Sequence, residues 1–243
     1  MHEPHLLPED AGASEIRELL FRGHGDVRDA FATAFPSEID GCIAAIAETY
    51  SAYRAFERAA PKTQRTAQVQ AFSYTALNSL ISSLFLLISG MLIPAGHLMR
   101  QYAEATAMAL LCSHPALITF ARFEKEKTRY PVHDALIEVN KKRNRRVLDI
   151  NAEGWKTFME IASFYDQFSH ASALVISAQM MLDRPGKLIM LGDYDADKSD
   201  VYHYEFPRRR SAAVALEQLI VVLTDRLPFD PNEPLYGASS TAS

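Results

Sequence analysis

From Thr66 to Gly96 the chain carries no charged side chain. A helix of that length, apolar around its circumference, has two possible homes: a bilayer or the centre of a domain. Asn78, Ser79, Ser82, Ser83 and Ser89 interrupt the run, and His97 and Arg100 follow it directly in a segment that continues helically. We therefore expect a long buried central helix, with membrane attachment through residues 71–95 as the alternative. A chain of 243 residues, 48% of them hydrophobic, can build a core large enough to enclose such a helix. Met1 to Asp10 carries acids and prolines where a signal peptide needs a basic end and an apolar run, so a cytoplasmic location is expected. Cys42 and Cys112 are too few for a disulfide scaffold or a cysteine-based zinc site. The net charge of -5 offers no global attraction to phosphate.

Most of the remaining chain has helical spacing. Ser37 is placed to cap a helix in which Ile39, Ile43, Ile46, Tyr50 and Tyr53 share a stripe, and Pro61 stops it. The long apolar helix starts near Gln64, and Pro94 with Gly96 predicts a kink or break before HLMRQYAEATAMALLCSH. A shorter helix, ALITFARFEKEK, and then VHDALIEVNKKRNRRVLD follow. Trp155, Phe158, Met159, Ala162 and Tyr165 recur at helical spacing in the next segment, which runs on, whole or broken, to about Leu182.

Near residue 183 the pattern changes. Two short apolar or aromatic runs flank a polar turn, which reads as a β-hairpin at about 187–206. The last helix should then be RRRSAAVALEQLIVVLTDRL, with Val214, Leu216, Leu219, Ile220 and Leu223 inward. Residues 228–243 read as a flexible tail. The expected architecture is all-α: one helical bundle over 1–227, with a small hairpin inserted before the final helix.

The candidate chemistry lies in polar groups that such a bundle would hold. His97, Arg100 and Glu104 share one helical face, and Arg100 and Glu104 can pair across one turn. That arrangement can be a structural pair or an anion clamp. Asp166 and His170 are also one turn apart, so the carboxylate can orient the imidazole, with Tyr165, Ser169 and Ser172 beside them. From Arg122 to Arg146 nine Lys or Arg face four Asp or Glu, culminating in Lys141, Lys142, Arg143, Arg145 and Arg146. Such a patch is a solvated helix end or a landing surface for RNA. Arg208 to Arg210 form a weaker basic run. Asp193, Asp195 and Asp197 alternate like the first ligands of an EF-hand, but Lys198 replaces the required Gly and Tyr204 the bidentate Glu. A solvated turn is expected there. Neither Walker loop, dinucleotide fingerprint nor HExxH occurs, and no metal or cofactor is expected.

The order of a long apolar helix, R-x-x-x-E (Arg100, Glu104), a Trp-led helix (Trp155) and Y-x-x-x-S-H (Tyr165, Ser169, His170) resembles an uncharacterised bacterial all-helical family, distantly HEPN-like, over about residues 64–225. Many HEPN-type proteins are metal-independent ribonucleases of toxin-antitoxin and anti-phage systems. The resemblance implies a role for His170 as general base and Arg100 as phosphate stabiliser. The chain departs from the HEPN signature, an Arg and a His with four to six residues between them: only Arg17 and His24 have that spacing, and Arg129 and His133 fall one short. Two functions are thus expected. One is a helical interaction or regulatory protein, homo-oligomeric or bound to a helical partner, with a buried Arg-Glu/His centre. The alternative is a metal-independent ribonuclease, with RNA as its partner. A membrane partner is not expected.

Overall fold

In a computed structural model, residues 16–17, 21, 23–126, 131–149, 152–169, 172–182 and 192–227 are described. Among them the chain is all-α, as expected, with no β-strand. The helices are α1 (Gly25–Ala34), α2 (Pro36–Ala59), α3 (Gln64–Ile88), α4 (Leu92–Ser113), α5 (Thr119–Glu126), α6 (Ala135–Asn140), α7 (Lys142–Leu148), α8 (Ala152–Asp166), α9 (Ala173–Gln179) and α10 (Ser199–Arg226). Buried side chains from Val27 to Leu227 form one continuous core.

The uncharged run makes a helical hairpin, α3 against α4. Thr63 caps α3, its hydroxyl accepting the Thr66 N–H at 3.2 Å. The break lies before Pro94. Gly90 takes φ +77°, Met91 N–H reaches Leu86 O at 2.8 Å and Gly90 N–H reaches Leu87 O at 2.9 Å, a glycine-closed Schellman end. Pro94 sits in the first turn of α4, where an N–H has no intrahelical acceptor to lose. The helix buried on every side is the second half of α4, not α3: every residue from Ala105 to Ser113 is buried, and α4 packs against α3, α5, α6, α7, α8, α9 and α10. Small residues allow this, since Gly96 lies so close to the Phe168 ring that a Cβ would overlap it. By contrast α3 has a buried face and an exposed one. It is long and apolar enough to cross a bilayer, with mean hydropathy 1.6 over a window that is 44% buried.

The expected β-hairpin is not supported. Residues 187–191 lie outside the described residues, and 192–198 are extended chain ending in a 3-10 turn. Residues 199–206 are the first two turns of α10. Tyr202 and Phe206, one turn apart, pack on Phe31 and Phe35 (Phe31 to Tyr202 4.8 Å, Phe35 to Phe206 5.4 Å between ring centres), and that burial selects helix over alternation. Pro207 is accommodated on the exposed face of α10.

Two inner stripes are also displaced from expectation. On α2 the buried face is Cys42, Ala45, Thr49, Tyr53 and Phe56, while Ile43 and Tyr50 are exposed. On α10, Leu216, Ile220 and Leu223 are buried and Leu219 partly so, but Val214 is exposed. Buried hydroxyls tie the layers together: Tyr102 donates to Ala212 O at 2.8 Å and Thr49 to Ala213 O at 2.9 Å. Ser37 does not cap α2, because Pro36 opens that helix and the Ser37 hydroxyl donates to Glu38 instead. The expected tail, 228–243, lies outside the described residues.

Candidate functional site

Helix α4 presents Arg100 and Glu104 on one face, and Arg100 Nε donates to Glu104 Oε1 at 3.0 Å. The guanidinium also bonds the Asp166 carboxylate at the end of α8, bridging the two sequence motifs. This cluster is not buried: side-chain exposure is 23% for Arg100, 18% for Glu104 and 56% for Asp166, and His97 is exposed. Two carboxylates already hold the cation. Helix α8 ends at Asp166 and a 3-10 turn, Gln167–Ser169, follows, so the i, i+4 geometry expected for Asp166 and His170 does not continue as α-helix. His170 and the side chain of Ser169 lie outside the described residues. Ser172 caps α9, accepting the Val175 N–H at 3.3 Å.

Tyr165 points the other way. It is fully buried, and its hydroxyl donates to Glu205 Oε2 at 2.9 Å. Glu205 pairs one turn on with Arg209, whose side chain is 0% exposed. Arg209 Nε donates to Ser83 Oγ at 3.0 Å, and Ser83 in turn donates to Ala95 O at 2.8 Å. The buried polar centre is therefore Arg209, Glu205, Tyr165 and Ser83, joining α3, α4, α8 and α10. Burial pushes the Tyr165 hydroxyl well above its usual range against the pull of the Arg209 charge, so it stays a neutral donor. Arg209 Nη2 is buried without a hydrogen-bond partner among the described residues. Glu205-x-x-x-Arg209 has the same one-turn spacing as Arg100-x-x-x-Glu104, and that spacing was the signal that could have revealed it.

The acidic segment is also structural. Asp195 is 0% exposed and its carboxylate accepts from Leu182 N–H at 2.7 Å and Asp197 N–H at 3.1 Å. Buried Lys198 donates to Ala178 O at 2.9 Å. This corrects the expected solvated turn: it is a capped corner docked under α9. Among the described residues no cluster of His, Cys, Asp or Glu could hold a metal.

The described cations of the basic patch are exposed, and Lys127 and Arg129 lie outside the described residues. Lys141 separates α6 from α7, so the segment is two short helices, and Lys141 pairs with Glu138 at 2.6 Å. Lys142, Arg143, Arg145 and Arg146 all face solvent. Arg145 continues into an open groove of 750 Å³ lined also by Trp155, Lys156, Phe164 and Arg208. There Arg208 stacks on the Phe164 ring at 3.7 Å. Cys42 and Cys112 are buried free thiols, and burial pushes the Cys112 thiol up to about 12, which leaves it unreactive. Comparison with family models, curated proteins and solved structures finds no match.

Proposed function

We propose that this chain is a helical interaction protein that pairs with a second copy of itself through the outer face of α3. The observation that carries this reading is the stripe Ala71, Tyr74, Asn78, Ile81 and Phe85, exposed throughout, with Tyr74 at 52%, Ile81 at 42% and Phe85 at 53%. Its steps of three and four residues match a helix-to-helix seam. α3 itself has no charge beyond Arg65, so most of the stripe can be buried without desolvating an ion; only its Phe85 end lies near a cation, Arg28, 5.7 Å from the ring centre. Asn78, mid-stripe, is the kind of polar residue that sets register in such a seam. The Arg100 and Arg209 clusters then brace the helices behind it.

The test is mass by light scattering across protein concentration, for wild type and for Ile81→Glu with Phe85→Glu. The reading expects a dimer that becomes a monomer in the variant, with helical content unchanged. A wild type that stays monomeric defeats it. Co-sedimentation with lipid vesicles, abolished by the same variant, would assign the stripe to a membrane instead.

The groove of Arg145, Lys156 and Arg208 beside Trp155 and Phe164 supports a second reading, the metal-independent ribonuclease. Cations beside aromatic faces suit single-stranded RNA. In that chemistry His170 takes the 2′-hydroxyl proton, and Arg100 must exchange Asp166 for phosphate. RNA cleavage in chelator, lost in His170→Ala and weakened in Arg208→Glu, is the expected result; inert wild type ends this reading.

A further inference from the structure

A cavity of 240 Å³ opens between α4, α8 and the second half of α10, beside the end of α7. Its walls are apolar: Leu110, Leu148, Trp155 and Phe158 are all nearly or fully buried, yet they leave this space between them. Trp155 and Phe158 stand with ring centres 5.3 Å apart and form an aromatic side. The indole N–H is satisfied outside the cavity by Asn140 Oδ1 at 3.3 Å, so that wall offers only carbon. At the lip lie Arg226, Asp149 and Gln218.

The lip has an unusual geometry. Asp149, which ends α7, holds φ +45°, a left-handed conformation uncommon outside glycine. Arg226 maintains it: the guanidinium donates to Leu148 O and, at 3.4 Å, to Asp149 O. The Asp149 carboxylate itself is 94% exposed and lies 3.7 Å from Arg226, too far for a hydrogen bond. Backbone carbonyls thus hold the cation in place while its countercharge stays loose and solvated. A guanidinium held in place at the mouth of a largely apolar, aromatic-sided cavity is a feature of a recognition site.

We infer that this cavity binds a small aromatic carboxylate, its ring against Trp155 and Phe158 and its carboxylate on Arg226 in place of Asp149. The volume is below the ~300–1,000 Å³ of drug-sized sites, which limits the ligand to about one ring. Arg226 sets the sign of the ligand's charge, and its N–H groups not engaged by the Leu148 and Asp149 carbonyls can donate to a carboxylate oxygen. The inference is independent of pairing through α3, which lies elsewhere on the molecule's surface.

Trp155 is the single tryptophan of the chain and reports directly on the site. Its emission is followed during titration with benzoate, benzyl alcohol and benzylamine, on the full chain. Benzoate should give a saturable change and bind about tenfold more tightly than either analogue. Arg226→Gln should erase that preference and leave benzyl alcohol unaffected. Because this substitution also releases Asp149, Val222→Phe serves as a second variant: it narrows the mouth from an exposed position and should weaken all three ligands, with unfolding unchanged. The inference is overturned if benzoate gives no saturable change, if the three ligands bind equally, or if Val222→Phe leaves binding intact.

Discussion

Two arginine–glutamate pairs, each spanning one helical turn, stand in opposite surroundings. Arg100 and Glu104 sit at the edge of the bundle with Asp166, where water reaches all three. Glu205 and Arg209 sit at 1% and 0% exposure, with Tyr165 and Ser83 closing the network. The chemical groups are the same and the consequences differ. A surface pair gains little, because water screens it and two long side chains must be ordered. An interior pair is worth little against an apolar replacement, but removing one partner strands a buried charge. The arginine that most needs its partner is therefore Arg209, while Arg100 is the one free to exchange partners.

The largest expected effect separates the two pairs. Arg209→Met, leaving buried Glu205 with only the Tyr165 hydroxyl and the more distant, partly exposed Arg208 at 3.8 Å, should cost about 3–5 kcal/mol in denaturant unfolding, and adding Glu205→Leu should recover much of it. A loss below about 1 kcal/mol would place the pair in contact with water and dissolve the contrast.

Alkaline pH probes the same interior. Burial raises the Cys112 thiol to about 12 and holds the Tyr165, Tyr102 and Tyr202 hydroxyls well above their ordinary range. The unfolded chain releases these protons first, near pH 9 for the thiol and near pH 10 for the phenols. Folded stability is thus full below about pH 9 and falls as pH rises beyond it, by on the order of 1.4 kcal/mol per pH unit for each group in play. Thermal unfolding from pH 8 to 11 reads this slope, and a flat profile would mean that these groups are hydrated.

A smaller loss is expected at the α3–α4 turn. Gly90→Ala forces a side chain into a left-handed conformation and against the backbone of Asp193, costing on the order of 1–3 kcal/mol in unfolding experiments. Smallest of all is Asp166→Asn at the surface cluster, at most about 1 kcal/mol and shrinking as salt is added. A larger, salt-insensitive loss would move Arg100 into the same class as Arg209.

Much of the helical layout could be read along the chain. The long apolar helix starts at Gln64 as its pattern implied, and Trp155, Phe158, Ala162 and Tyr165 mark the buried side of α8. The errors have local causes. Residues 199–206 alternate polar and aromatic as a strand does, but Tyr202 and Phe206, with Arg209 just beyond, also fall at helical spacing, and packing on Phe31 and Phe35 settles the ambiguity. With α10 begun too late, Arg209 looked like part of an exposed basic run. On α2 the expected stripe of isoleucines and tyrosines lost to a smaller-residue face, because α10 approaches over Cys42, Ala45 and Thr49. Of the candidate site, the sequence showed that Arg100 and Glu104 can pair, and nothing local showed that Asp166 would join them.

Periodicity and punctuation along the chain were enough to make this protein an assembly of helices, because hydrogen bonding within a helix and the spacing of its apolar residues are local properties. Which charges ended inside was settled only by how the helices met. Desolvation depends on neighbours brought from far along the chain: Glu205 is one turn from Arg209, but Ser83 and Tyr165, which close the network around that pair, come from distant helices.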